Sequence, residues 1–188
     1  MSSTEFNPQQ RELLHQLALD SIRHGLQHGR ALAVDATGFE TALQQPRACF
    51  VTLTHHGELR GCIGHLEPIE SLVEDVADNA YAAAFSDPRF APVGEDELAG
   101  LQISISILGR PEAMSFASEA DLISQIRPGI DGLILSGPAG HRGTFLPSVW
   151  NSLPQPAQFL QQLKRKAGLP ADYWAEGMRV ERYTTESF

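Results

Sequence analysis

The segment 59–68, Leu-Arg-Gly-Cys-Ile-Gly-His-Leu-Glu-Pro, carries the side chains of this chain best suited to chemistry. Cys62 is the candidate nucleophile, because a thiolate attacks more readily than other common side chains and a nearby cation favours the thiolate form. Arg60 offers such a cation, since its guanidinium stays charged. His65 could serve as a base if the strand has ended before it, and Glu67 adds a carboxylate as a binding group.

Two other interpretations of Cys62 stay open. Cysteine ranks among the most buried residue types, so Cys62 could be a small core residue of a sheet. Cys62-x-x-His65 also has the spacing of a metal-ligand pair, but one pair is half a site and no second Cys/His pair stands at matching spacing. We therefore expect no metal site, and no cofactor.

The element that must position Cys62 is a predicted β-hairpin over residues 48–66, with a turn containing Gly57. If Thr54 pairs with Leu59, then Val51 faces Cys62 and Cys49 faces Gly64. Alternation then places Arg60 and Cys62 on one face together with Cys49 and Val51. Gly61 and Gly64 pack no side chain, which predicts that a backbone or a ligand approaches closely on either side of Cys62.

Two further groups of polar residues lie at predicted turns. Asp87 and Arg89 bracket Pro88 after the helix that follows the hairpin; they either pair locally or form a charged wall of a site. His141 and Arg142 lie on the glycine-rich loop 137–143, which is either a plain hairpin loop or a loop presenting N–H groups to an anion. The spacing of nucleotide-binding loops is absent.

The rest of the chain alternates helices and strands irregularly. Asn7-Pro8 opens a first helix that ends near Gly25 or Gly29, a second helix runs from about Ile69 to Phe85, and a third starts at Pro156 and stops at Gly168. A capping sequence at Ser118 predicts a short helix, and strands are predicted at 101–107, 130–136 and 178–183. Together with the hairpin, this order indicates the α+β class.

Composition excludes several classes of function. The chain has 188 residues, a net charge of −9 and a pI near 5.2, which argues against nucleic-acid binding because that requires a basic surface. No apolar run approaches the ~20 residues that span a bilayer, so no membrane association is expected. The N-terminus shows no signal-peptide pattern, and two cysteines make no disulfide framework. We expect a cytoplasmic protein, as a monomer or weak homodimer.

Four strings of this sequence resemble the AMMECR domain family, also called protein A of the AmmeMemoRadiSam system. They are Leu59–Gly64 followed by Glu67-Pro68, Asp87–Phe90, Gly143–Pro147 and Lys166–Leu169, and they occur in the expected order over nearly the whole chain. His65 departs from the pattern, which has a small hydroxylic residue there, so a Cys62–His65 dyad would be private to this protein. Ser148 also departs, since relatives usually have glutamine.

The resemblance implies one AMMECR-like domain over residues 1–188, built as two interlocked α/β lobes with mostly antiparallel or mixed sheets. The larger lobe would contain both termini, the smaller would be inserted, and a cleft would separate them. We expect Cys62 and Arg60, with Asp87, Arg89, His141 and Arg142, to line that cleft. The resemblance implies Memo-like and radical SAM partners. The activity would be a thiol-dependent modification step; the alternative is a non-catalytic module that binds a protein or small ligand through the same cleft.

Overall fold

The fold is described for residues 5–188 of a computed structural model. Residues 1–4, where the sequence predicts no signal peptide, lie outside the described part. The chain divides into two compact units: one comprises the described residues up to Leu108 together with Glu186–Phe188, and the other comprises Gly109–Thr185. Each unit holds a four-stranded sheet, and both sheets are antiparallel, which confirms the α+β class.

The elements of the two units are as follows in chain order. The helices are α1 (Pro8–His28), α2 (Thr41–Gln44), α3 (Leu72–Phe85), α4 (Glu119–Gln125) and α5 (Pro156–Lys166). The strands are β1 (Cys49–His55), β2 (Glu58–Gly64), β3 (Leu101–Leu108), β4 (Glu112–Ala113), β5 (Gly132–Ser136), β6 (Arg142–Phe145), β7 (Arg179–Tyr183) and β8 (Thr185–Ser187). Short 3₁₀ turns connect several of them.

The predicted first helix is confirmed, whereas the start of the second was wrong. Asn7 caps α1 by accepting from the backbone N–H of Gln10, and Gly29 ends it in the left-handed region at φ 67°. Helix α3 begins at Leu72, because Ser71 caps it and Glu74 completes the capping box. Ile69, predicted as an apolar helix position, lies ahead of this cap and is 76% exposed.

The first sheet has the strand order β2-β1-β3-β8, and its hairpin contains a β-bulge. Thr54 pairs with Leu59 as predicted, but the register shifts after Leu53, which pairs with Gly61 and leaves Arg60 as the extra residue. The predicted pairing of Val51 with Cys62 was therefore wrong, and Thr52 stands opposite Cys62 instead. A bulge gives no signal in simple alternation, so the sequence could not supply this register.

One face of the first sheet packs under helices α1 and α3. Cys49, Val51 and Leu53 are fully buried on this face, in one cluster with the apolar residues of the two helices. Thr52 points to the opposite face, together with its cross-strand neighbours Cys62 and Ser104. The prediction that Cys62 shares a face with Cys49 and Val51 was therefore wrong, and both cysteines are free thiols.

The second unit surrounds a separate core under the sheet β4-β7-β5-β6. Trp150 stacks on Phe159 of α5 with ring centroids 3.8 Å apart, and Lys164 is fully buried in an ion pair with Glu119. The predicted helices at Ser118 and Pro156 are confirmed, as are the strands of β5 and β7. The short strands β4 and β8 were not predicted, since two or three residues carry little periodicity.

None of the helices within residues 5–188 combines the length and the apolar character that crossing a membrane requires.

Candidate functional site

Cys62 lies half-buried on the outer strand β2, with its sulfur toward the polar side of the sheet. The backbone N–H of Cys62 points away from β1, so Thr52 and Cys62 form a non-hydrogen-bonded antiparallel pair. In such pairs the two opposed side chains lie closer together than in hydrogen-bonded pairs. The Thr52 hydroxyl lies 3.3 Å from the Cys62 sulfur. Cys49, by contrast, is fully buried, and burial raises the pKa of its thiol well above the usual value.

Asp87 and Arg89 hold the outward backbone of Cys62 from the turn after α3. The Cys62 N–H donates to the Asp87 carboxylate at 2.9 Å, and Arg89 donates to the Cys62 carbonyl at 3.4 Å. The Asp87 side chain is 2% exposed and pairs with Arg89 at 2.7 Å. The hydrogen bond from Arg89 is the main reason that the pKa of Asp87 lies far below its usual value. Asp87 and Arg89 therefore pair with each other, as one alternative predicted, and also contact the candidate nucleophile Cys62.

Arg89 is also the cation that interacts electrostatically with the Cys62 thiol. Its pKa is raised, mainly by the hydrogen bond to Asp87 and in smaller part by Cys62. More than half of the Arg89 side chain is exposed, while its guanidinium stays paired with the Asp87 carboxylate. Arg89 thus occupies the position that the sequence analysis gave to Arg60.

Arg60 is engaged with Glu97. The bulge removes the simple alternation that placed Arg60 beside Cys62, and its guanidinium binds the Glu97 carboxylate at 2.7 and 2.9 Å. Arg60 also donates to the carbonyls of Ala91 and Pro92. The hydrogen bond from Arg60 is the main cause that lowers the pKa of Glu97 to about 2. The contacts bind β2 to the segment that precedes β3.

His65 pairs with Asp75 of α3 rather than with Cys62. The ring Nδ1 makes a short hydrogen bond to the Asp75 carboxylate, which is 1% exposed, while 43% of the His65 side chain is exposed. Because α3 packs on the buried face of the sheet and the sulfur of Cys62 points to the other face, the two side chains diverge. Glu67 lies exposed in the connection between β2 and α3.

Carboxylates collect around the His65–Asp75 pair. Burial, followed by repulsion from Asp78 and Asp75, raises the pKa of Glu70. Burial and the negative charge of Asp75 likewise raise the pKa of Asp78, and His65 lowers both pKa values. A cavity of about 420 Å³ opens beside this group, lined by His65, Asp78, Asn79, Arg30, Tyr81 and other residues of the first unit.

His141 and Arg142 belong to the second unit, where the predicted loop contains a short 3₁₀ turn before β6. The His141 ring Nδ1 lies 3.0 Å from the carbonyl of Ala167, next to the end of α5. Arg142 is exposed and pairs with Ser136 in the sheet. Their grouping with Cys62 in one cleft stays a prediction.

The two glycines around Cys62 have a structural reason. A Cβ atom on Gly61 would lie 2.0 Å from the carbonyl oxygen of Ala83 in α3. A Cβ atom on Gly64 would lie 2.4 Å from the carbonyl oxygen of Cys49. The predicted close approach is therefore to backbone in both cases. Gly61 is required to seat α3 on the hairpin and Gly64 to let β1 approach β2, whatever Cys62 does.

Sequence reasoning missed Thr52, Glu97, Glu70 and Asp75 as members of these clusters. One signal was available: Asp75 and Asn79 follow Leu72 at helical spacing, which places polar groups on the buried face of α3. Both are buried and both bind the backbone of Cys49: Asp75 accepts from its N–H at 2.8 Å, and Asn79 donates to its carbonyl at 3.4 Å. Thr52 and Glu97 could not be predicted from the sequence, because their contacts with Cys62 and Arg60 depend on the β-bulge in β2.

The chain is an α+β protein with two antiparallel sheets, in which the Asp-Pro-Arg turn holds the Gly-Cys-Ile-Gly edge strand. The family model AMMECR1 matches residues 15–188, and the chain belongs to this family, whose biochemical activity is not established.

The relatives extend over most of the chain. A protein of Methanothermobacter thermautotrophicus is 41% identical over 147 residues, which cover 77% of this chain and 76% of the relative. Protein MJ0810 of Methanocaldococcus jannaschii is 35% identical over 168 residues, covering 85% and 80%. The crystal structure of the uncharacterized protein PH0010 from Pyrococcus horikoshii is similar with a TM-score of 0.78 and 34% identity, covering 94% of this chain and 89% of that one.

Proposed function

We propose that this protein is a thiol-dependent enzyme or enzyme component in which Cys62 is the nucleophile. The observation that supports this most is the environment of the sulfur: a threonine hydroxyl at 3.3 Å on one side and the partly exposed charge of Arg89 nearby. A cation close to a thiol stabilises the thiolate, and a hydroxyl can donate a hydrogen bond to it.

The surrounding structure also fits a positioned nucleophile. Asp87 and Arg89 fix the backbone N–H and carbonyl of Cys62 through charge-assisted hydrogen bonds. Gly61 locks the same strand against α3. A rigid strand with a half-exposed thiol suits a group-transfer step, in which the sulfur must meet a substrate in one orientation.

We further propose that this step belongs to a modification system with Memo-like and radical SAM proteins as partners, as the family resemblance implies. The acidic net charge of −9 is consistent with a protein or small-molecule substrate rather than nucleic acid. The second candidate, a non-catalytic binding module, draws its support from Arg60, since its guanidinium is engaged by Glu97 and two carbonyls instead of the thiol.

Competitive labelling with iodoacetamide across pH, read by mass spectrometry, tests the nucleophile. We expect Cys62 to react faster near neutral pH than a reference cysteine placed on the same sheet face, for which the double variant Cys62→Ser, Ser104→Cys is suitable because Ser104 is exposed. Cys49 provides the slow internal standard, since it is fully buried.

The variant Arg89→Gln separates activation from exposure. If the charge of Arg89 promotes the reaction, Cys62 is labelled more slowly at neutral pH in this variant, whereas the reference cysteine, combined with the same Arg89→Gln change, is labelled at an unchanged rate. A Cys62 that reacts no faster than the Ser104→Cys reference, with a rate insensitive to Arg89→Gln, would rule out the nucleophile and favour the binding module.

A further inference from the structure

The connection from β2 to α3 brings three metal-ligating side chains together away from the thiol. A ring nitrogen of His65 and one carboxylate oxygen each of Glu70 and Asp75 all lie within 4.8 Å of one another. We propose that these residues bind a divalent transition-metal ion of the Zn²⁺ class. This site goes beyond the proposed function, because neither Cys62 nor Arg89 takes part in it.

Two of the three ligands are held in place by the backbone of one residue of β1, Cys49. The backbone N–H of Cys49 donates to the second oxygen of Asp75 at 2.8 Å, and its carbonyl accepts from the backbone N–H of His65 at 3.0 Å. Glu70 directly precedes Ser71, the N-cap of α3, so its backbone is fixed as well. Ordering the side chains of His65 and Asp75 therefore costs little at the moment of binding, which favours affinity.

The charge around the cluster favours a cation. No lysine or arginine occurs between Arg60 and Arg89, whereas six acidic residues do. Glu74 and Asp78 add two of these carboxylates on α3 close to the ligands, and His65 is the single group that opposes them in this stretch. Outside this segment, Arg30 also lines the adjacent cavity, but the carboxylates of Glu70, Glu74, Asp75 and Asp78 outnumber the cationic groups, and a dication would offset the remaining negative charge.

The ligand types select the metal. Imidazole with carboxylates suits Zn²⁺ and its first-row neighbours, whereas Mg²⁺ and Ca²⁺ prefer sites made of oxygen alone. Zinc ligands lie about 2.0–2.2 Å from the ion, so Glu70, which is partly exposed, must move inward to close the site. Three protein ligands leave a position for water, and the adjacent cavity of about 420 Å³ gives access to it.

Isothermal titration of the chelator-treated full chain with ZnCl₂ tests the site, with Co²⁺ absorption as a second measurement. We expect one equivalent of Zn²⁺ to bind and MgCl₂ to give no response at the same concentration.

Two ligand variants and one control variant decide the assignment. Glu70→Gln and His65→Gln should each weaken binding by more than about a hundredfold, which exceeds the usual effect of losing an outer partner of a ligand. The control His24→Gln/His28→Gln removes a surface pair on α1 whose rings lie 4.3 Å apart, and should leave the affinity unchanged. Thermal melts in EDTA verify that each variant is folded.

The outcomes are distinct. Loss of binding in Glu70→Gln with retention in the α1 control supports the site. Absence of Zn²⁺ binding by the wild type, loss only in His24→Gln/His28→Gln, or equal binding by the wild type and Glu70→Gln would each overturn it. If a ligand variant loses Zn²⁺ binding but Cys62 is labelled as in the wild type, the proposed thiol function is unaffected. If Cys62 proves unreactive while Zn²⁺ still binds, the metal site is unaffected.

Discussion

Replacing Gly61 by alanine should destabilise the first unit by about 3 kcal/mol or more. The added Cβ would lie 2.0 Å from the Ala83 carbonyl oxygen, whereas ordinary contact begins at 3.4 Å, so β2 and α3 must separate by 3.4 − 2.0 = 1.4 Å. The obstacle is backbone, which cannot rotate away like a side chain. Overpacking of a close-packed interior typically costs 1–3 kcal/mol, and this clash lies at the upper end.

The matched control is Gly38→Ala. No atom lies within 4 Å of the Cβ position at Gly38, and its backbone is outside the left-handed region. We expect a change within about 0.5 kcal/mol, with a slight gain from lower entropy of the unfolded chain.

Urea unfolding followed by far-UV circular dichroism measures both variants. Both tryptophans, Trp150 and Trp174, lie in the second unit, so tryptophan fluorescence would report on the wrong part of the chain. An unfolding free energy for Gly61→Ala within 1 kcal/mol of the wild type, at an unchanged denaturant slope, would refute the argument that the motif glycine exists for the approach of α3.

Three further predictions concern charge. Glu97→Gln should lower the free energy of unfolding by about 1–2 kcal/mol at pH 7, because the ion pair with Arg60 is lost. Folding lowers the pKa of Glu97 from 4.5 to about 2, so the stabilisation by its carboxylate is fully present above pH 4.5 and is lost as the pH falls toward 2. In urea melts, the difference in unfolding free energy between wild type and variant should follow the same pH dependence. Asp87→Ala should cost about 2–3 kcal/mol in the same melts, since it leaves the Cys62 N–H and Arg89 without their buried partner, whereas Glu95→Ala on the surface should be nearly neutral. Fluorescence anisotropy should show no binding of DNA or RNA at submicromolar protein, and a salt-dependent rise would contradict the inference from net charge.

Local signals in the sequence predicted most elements of the fold. The Asn7-Pro8 start of α1, the Ser118 cap and the alternation of β3 each depend on a few neighbouring residues, and all three are confirmed. The start of α3 was misplaced because apolar Ile69 suited the helical period, although Ser71 and Glu74, two and five residues further on, form a stronger signal.

The candidate site was harder to predict because it depends on long-range pairing. The bulge at Arg60 shifts the register by one residue, and a shift of one residue exchanges the two faces of a strand. The cation near Cys62 is consequently Arg89, which is distant in sequence, and Arg60 binds Glu97. Proximity of Cys62 to Asp87 and Arg89 was expected from the order of elements, but the hydrogen bonds to its backbone were not.

The hold of Asp87 and Arg89 on Cys62 also bears on aggregation. β2 is the outer strand of its sheet, and an outer strand offers unpaired N–H and carbonyl groups to which another chain can add. At Cys62 both outward groups are already taken by charged side chains from a neighbouring turn. An incoming strand would have to displace the ion pair between Asp87, which is buried, and Arg89 before it could form its own ladder. The Asp-Pro-Arg turn therefore protects the sheet against edge-to-edge association, and its loss would expose a cysteine-bearing strand that is prone to intermolecular pairing and oxidation.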